Sequence, residues 1–372
     1  MNRDSSLVAM QSLKHYAPDL VDPCLQDIWN SARMPDVRGL KVLVKPNILF
    51  DAPPERAVTT HPQVIASLLK LLMDAGARPV VGDSPAIHTS SFSGQVCGIR
   101  DVCRDLGVKW ADFLDGTQTV TSTISGRRKY SFQVTRHAVE SDLIITVPKM
   151  KNHQLMIMTG AVKNLFGVMP AFTKSPYHLR HRNRRQFAEF LSHLYSALPP
   201  AIAVMDGLIA MEGPGPNNGY PRHAGLLMAS TDCGAVDVTA AGVMGYNPAE
   251  IPGCQSMKRH GLSRAGDISD ITYPLKHPRD HILEDFLRVK TQKKSRMIWD
   301  MVYPRIFRYF YSRSGGPVIQ PQVCISCGKC EMICPNGSAR RGETAYEICL
   351  ESCIRCYCCH EVCPADAIEI TR

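Results

Sequence analysis

Ten of the fifteen cysteines in this 372-residue chain stand between Cys324 and Cys363. They include two runs of one spacing, C-x2-C-x2-C-x3-C-P: Cys324, Cys327, Cys330 and Cys334 before Pro335, then Cys353, Cys356, Cys359 and Cys363 before Pro364. Thiolates at these intervals fit [4Fe-4S] cubes, because a tight loop presents three and the proline turns the fourth toward a second cube. The spacing predicts one cluster on Cys324, Cys327, Cys330 and Cys363, and a neighbour on Cys353, Cys356, Cys359 and Cys334. Single-electron transfer is the chemistry such clusters supply.

Zinc needs only four ligands, usually as two separated C-x2-C pairs, and gives no reason to repeat a triple plus proline. Disulfide scaffolds belong to secreted chains. The first twenty residues lack an uninterrupted apolar stretch behind a basic start, so a reducing cytoplasm is expected. Cys349 and Cys358 fall outside both ligand sets and read as spectators, and Cys24, Cys97, Cys103 and Cys254 read as small core residues.

The rest of the chain carries a second candidate chemistry, concentrated positive charge. Lys45 and Asn47 follow the apolar run "KVLVK", Asp83 and Ser84 end "PVVGD" and follow it, Lys149, Lys151 and His153 follow "LIITVP", and Asp206 ends "AIAVMD". If the chain stays extended past Pro148, then Lys149, Lys151 and His153 project from one side. "TGAVKNLFG" adds Lys163 and Asn164 on a short helix. Crowded cations repel one another, which lowers their pKa values and favours an anion that relieves the repulsion. Lys149, Lys151, His153 and Lys163 are the expected catalytic groups, able to stabilise added negative charge and supply a proton. Lys45, Asn47, Asp83, Asn164, Asp206 and Glu212 are expected to bind substrate or position the lysines, and the three carboxylates could also hold a divalent metal. Glu212 lies in "MEGPGPNNG", whose prolines remove the amide donors a nucleotide-binding loop needs, so that loop reads as a rigid turn.

What must position these groups is an α/β sheet. Strands are expected at 41–45, 79–83, 143–148, 201–206 and 225–230, and helices at 61–76 and 232–245. Short apolar runs alternating with helical stretches describe a mostly parallel sheet covered by helices, with ligands collecting beyond the carboxyl ends of the strands. This domain is expected over 1–285. A basic, aromatic connector follows over 286–315, then a small α+β bacterial-type ferredoxin domain over 316–372, where "VIQPQ" and "AIEITR" can pair as strands. In the connector, Trp299, Tyr303, Phe307 and Phe310 either rest on a membrane surface or pack against both domains.

Several segments together strongly resemble the family known as domain of unknown function 362: "VLVKPN", "AGARPVVGDSP", "SDLIITVPKMKNHQLMIMTGAVKNLFG", "DGLIAMEGPGPNNG" and "LLMASTDCGAVDVTAAGVMGYNP". The resemblance runs from about residue 38 to the end, and it implies a C-terminal two-cluster ferredoxin module. Cys233 departs from it, standing where a proline is expected after the aspartate.

The formal charge of +9 falls to roughly +5 with two oxidised clusters bound. The stretch 173–185 has Tyr177 as its one aromatic and so lacks the stacking that nucleic acid needs, while its charge fits an acidic electron-donor protein such as a ferredoxin or flavodoxin. No apolar stretch reaches the ~18 residues of a membrane span. Two function classes follow. One is an oxidoreductase passing electrons to a small anionic substrate, and the other a non-catalytic electron-transfer or scaffolding subunit.

Overall fold

The computed structural model describes residues 6–87, 89–126, 129–181, 183–289 and 315–371. The expected connector therefore falls mostly outside the described residues, including Trp299, Tyr303, Phe307 and Phe310.

Lys41–Pro46 is a central strand, paired in parallel with Arg78–Val81 on one side and Leu143–Val147 on the other. Its alternate residues feed two cores. Val42 and Val44 join Leu143, Ile145 and Val147 on one face, while Leu43 and Ile144 enter the core on the other. Burial on both faces is why these runs are apolar throughout rather than alternating. The parallel order continues from Lys109–Trp110 at one edge to Ala201–Glu212 at the other end. Helix Pro62–Asp74 opens with proline and buries Val64, Ile65, Leu68, Leu69 and Leu72 against one face. Helix Cys233–Val243 is capped by Asp232, which accepts from Ala235 N at 3.0 Å, and every one of its residues is buried.

The structure departs from the sequence reading beyond this parallel half. Ala201–Glu212 is twice the expected length and turns back antiparallel into Tyr220–Ser230, which also pairs with Ala9–Ser12. A register shift between Gly207 and Ile209 hides the strand's period, so its second half does not read as strand. Past Pro148 the chain stays extended as Lys149–His153 and pairs with that second half, Asp206 opposite Lys149 and Met211 opposite Lys151.

In the C-terminal module Pro317–Ile319 pairs antiparallel with Ile368–Ile370, and two short helices, Lys329–Ile333 and Cys358–Val362, follow matching loops. Ser326 and Arg355 occupy the same left-handed conformation at φ 53° and 54°, as do Gly328 and Tyr357 at 75° and 61°. The two halves thus wrap the same way, and left-handed residues turn successive amides inward.

Candidate functional site

The matching loops bring the cysteines into the two expected groups. Cys324, Cys327, Cys330 and Cys363 line one small cavity with Ile319 and Ile368. Cys334, Cys353, Cys356 and Cys359 lie near one another: burial raises the thiol pKa values of Cys353 and Cys359, and the charges of Cys334 and Cys356 add to it. Amides already point at sulfur: Ser338 N donates to Cys334 Sγ at 3.2 Å, Ala367 N to Cys363 Sγ at 3.3 Å and Arg355 N to Cys353 Sγ at 3.4 Å. Such bonds set cluster potentials. The donor sets fit two cubes, one outer, with Cys327 exposed, and one inner, flanked by buried Cys358.

The module sits over the carboxyl ends of the strands. Asn217 and Asn218, from the loop read as a rigid turn, donate to Cys363 O at 3.2 Å and His360 O at 3.3 Å. Glu361 Oε1 lies 3.0 Å from His153 Nε2. His153 Nδ1 accepts from Leu155 N at 3.1 Å and Met156 N at 3.2 Å, so the ring proton resides on Nε2, facing Glu361. Burial, followed by the charge of Lys163, holds His153 neutral with a pKa lowered to about 4. Burial alone would raise the Glu361 pKa, but His153, Lys163 and His178 overcome it and bring it down to about 2.

Between module and sheet lies a cavity of about 100 Å³, lined by Lys45, Asp83, Lys163, Lys174 and His178 from one side and by Cys358 and Glu361 from the other. Lys45 is fully engaged. It pairs with Asp83 at 2.6 Å and donates to Pro46 O at 2.8 Å and Asn164 Oδ1 at 3.0 Å. Asn164 in turn donates to Thr146 Oγ1 at 2.9 Å and Lys45 O at 3.1 Å. A Cβ at Gly167 would stand 2.3 Å from Asp83 Oδ1, so only glycine lets this platform close. Lys163 differs: among the described residues its ammonium has no hydrogen-bond or ion-pair partner, and burial lowers its pKa while Glu361 opposes. Lys174 donates to Ser84 O, and burial brings its pKa down to about 7, with Lys45 and Lys163 contributing and Asp83 opposing. Asn47 Oδ1 and His178 Nδ1 are buried without a partner among the described residues. Such atoms call for a ligand or water.

The expected site residues therefore divide. Lys45, Asn47, Asp83, Lys163 and Asn164 line the cavity. Lys151 and His153 lie behind it: Lys151 donates to Val58 O at 2.6 Å, and burial and Lys163 push its pKa well down. Lys149 and Asp206 sit elsewhere, in a closed buried pair at 2.8 Å. Tyr16 OH accepts from Lys149 at 2.9 Å and donates to Asp206 Oδ1 at 2.7 Å, while its ring stacks on His61 at 3.6 Å. Glu212 accepts from Leu287 N at 3.0 Å and anchors the segment leading out of the domain. The expectation that Lys149, Asp206 and Glu212 share a substrate cleft is corrected, because Lys149 and Asp206 are committed to each other and Glu212 to Leu287 N. Asp83, Asp206 and Glu212 likewise do not converge as a metal site; outside the cysteine groups, Glu189, His193 and His260 bring one ligand atom each within 4.8 Å of one another.

Sequence reasoning missed Tyr16, Lys174, His178 and Glu361. Lys174 and His178 belong to helix Ala171–Arg180, within the basic stretch read as a docking surface, but both line the cavity. A larger groove of about 1050 Å³ beside Tyr246 and Val289 borders the segment running into residues 290–314, outside the described residues, and holds none of these groups.

The Lys149–Asp206 pair makes a direct prediction. Asp206→Asn leaves Lys149 buried without its counter-charge, and unfolding by denaturant should show a loss of roughly 3–5 kcal/mol with iron content unchanged. A loss near zero would mean the pair is not holding the sheet.

A family model described as Domain of unknown function (DUF362) matches residues 42–242, and one described as 4Fe-4S binding domain matches residues 317–339. A thylakoid-associated protein of Synechocystis sp. is 32% identical over 280 residues, covering 74% of this chain and 84% of that protein. One component of an ion-translocating oxidoreductase complex of Methanosarcina acetivorans is 47% identical over 47 residues, 13% of this chain and 18% of that protein. Among solved structures, the lactate racemase apoprotein of Thermoanaerobacterium thermosaccharolyticum aligns with a TM-score of 0.39 and 10% identity, over 69% of this chain and 58% of that one. No helix among the described residues is long and apolar enough to cross a membrane. The match over more than half the chain spans the strands and lysines that build the cavity: this protein belongs to the DUF362 family and carries a 4Fe-4S binding domain after the family's α/β domain.

Proposed function

We propose that this protein is an oxidoreductase in which two [4Fe-4S] clusters feed electrons to a small anion held between the α/β domain and the ferredoxin module. The observation that carries the reading is the placement of Lys163 and Lys174 in a cavity whose other wall is Cys358 and Glu361. Cys358 lies between Cys356 and Cys359, two expected ligands of the inner cluster. The clusters, when bound, supply single electrons. Lys163 binds the anion and stabilises the charge that reduction adds, and the Lys45–Asp83–Asn164 platform fixes the floor beneath it. With His153 neutral and its proton turned to Glu361, the accompanying proton comes from the Lys163 or Lys174 ammonium. The volume of about 100 Å³ suits a small carboxylate or oxyanion.

Electrons enter at the outer cluster, where Cys327 is exposed and Ile325 and Met332 offer an apolar contact at 64% and 62% exposure. A ferredoxin or flavodoxin is the fitting donor. Thiolate ligation of this kind belongs in a reducing compartment, the cytoplasm by preference. The likeness to a component of an ion-translocating complex over the cysteine-rich segment favours a second reading, a non-catalytic electron carrier in a larger assembly. Anaerobic assay separates them: the purified protein with reduced viologen should consume reductant when one of a panel of small carboxylates and oxyanions is added. Exchange with partner proteins and no turnover with any of the panel would establish the carrier.

A pH dependence follows. An ammonium whose pKa is lowered to about 7 is charged below that pH and neutral above it. Anion affinity should fall as pH rises through about 7, and Lys174→Met should flatten that dependence. A profile unchanged in Lys174→Met would remove Lys174 from the site.

A further inference from the structure

We propose that Glu189, His193 and His260 form a zinc site on the outer helices of the α/β domain, independent of the cysteine clusters. Glu189 and His193 lie four residues apart on helix Arg184–Ala197 and so share a face, and His260 closes the neighbouring helix Pro252–Arg259. The helices are tied by Ser192 Oγ donating to Ser256 Oγ at 2.7 Å. One ligand atom from each of the three side chains lies within 4.8 Å of the others.

The surrounding hydroxyls fix the histidine tautomer. Ser196 Oγ spends its hydrogen on His193 O at 2.9 Å, so in its 2.8 Å contact with Ser122 Oγ it accepts. Ser122 has then given its own hydrogen away and already accepts from Ile124 N at 3.1 Å. Its 2.8 Å contact with His193 Nδ1 therefore requires the proton to be on the ring nitrogen. This leaves His193 Nε2 as a bare lone pair without a partner among the described residues, on a side chain 6% exposed and stacked on Tyr130 at 4.1 Å. A lone pair beside a carboxylate is repulsive unless a cation lies between them.

The carboxylate is prepared in the same way. Arg259 NH1 holds Glu189 Oε2 at 2.8 Å with Ser256 Oγ at 3.3 Å, which leaves Oε1 turned to His260 Nε2. Outer partners on both a carboxylate and a histidine are what orient ligands at metal centres. Two imidazoles and one carboxylate, with a fourth position open, are a zinc donor set. Zinc would take the place of the hydrogen bond between His260 Nε2 and Glu189 Oε1.

The test uses the cluster-loaded protein, equilibrated anaerobically with one equivalent of Zn²⁺, desalted, and read by metal analysis and zinc-edge X-ray absorption. The expected result is ~1 zinc per chain beyond the iron, in a nitrogen and oxygen shell at ~2.0–2.1 Å. Glu189→Gln and His260→Ala should each weaken retention at least tenfold with iron content unchanged. Failure to retain zinc, a sulfur shell at ~2.3 Å marking capture by cysteines, or retention unaltered in both variants would overturn the proposal. If either variant fails to fold, the wild-type coordination shell alone decides.

Discussion

Lys163→Met should lower turnover of the cavity anion by roughly 10²-fold or more, the effect of removing one preorganised charge donor from a binding site. Methionine keeps the length and apolar stem, so the helix Ala161–Asn164 should stand, its first amides held by Asp237 at 2.5 Å and 3.2 Å. Iron content should not change. The size of the effect rests on Lys163 being uncommitted: Lys45 and Lys149 already neutralise Asp83 and Asp206, whereas the Lys163 ammonium has no such partner among the described residues. Thermal-shift titration with inorganic phosphate gives a second readout, with the stabilisation seen for wild type lost in the variant. Lys276→Met, at an exposed position, should behave as wild type in both. Turnover within twofold of wild type in Lys163→Met would place the reacting anion elsewhere.

Cys359→Ala and Cys327→Ala should separate the two clusters by function. Each should lower iron from ~8 to ~4 per chain, because each removes a thiolate from a different cube. Cys359 belongs to the inner set, on the helix that also carries Cys358 and Glu361 to the cavity, so its loss should abolish turnover with any reductant. Cys327 is exposed in the outer set. Its loss should abolish turnover driven by a protein donor yet retain part of that driven by reduced viologen, which is small enough to reach the inner cluster. Equal loss with both reductants in both variants would show that the clusters do not act in this order.

Much of this was legible in local sequence, and the parts that were not share a physical cause. Cysteine spacing over a dozen residues constrains a loop, so the grouping of the cysteines follows from the intervals between Cys324 and Cys363. The runs at Lys41–Pro46 and Leu143–Val147 are apolar throughout because both faces are buried, and the lysines after them stand where strands end. Partnership is a different matter. Lys149 and Lys163 look alike in sequence, but one meets Asp206 across 57 positions and the other faces Glu361 across 198. Only the packed sheet and the docked module make that distinction. Glu361 lies inside "CCHEVCP", where the cysteines dominate any reading, and Tyr16 meets Asp206 only through a side-chain hydrogen bond across 190 positions. Lys174 and His178 sit in a segment whose charge reads as a solvated surface, and the cavity turns two of its residues inward.

The central claim is that an anion bound beside Lys163 lies next to one cluster and away from the other. A redox titration of the intact protein, followed by the electron paramagnetic resonance of each cluster, tests this with and without saturating inorganic phosphate. Negative charge placed beside the inner cluster should lower its potential by tens of millivolts, on the order expected for a charge about ten ångströms away in a protein interior, and leave the outer cluster nearly unmoved. Lys163→Met should abolish the shift. Equal shifts of both clusters, or none in a protein that demonstrably binds phosphate, would contradict a site between the strand ends and the inner cluster.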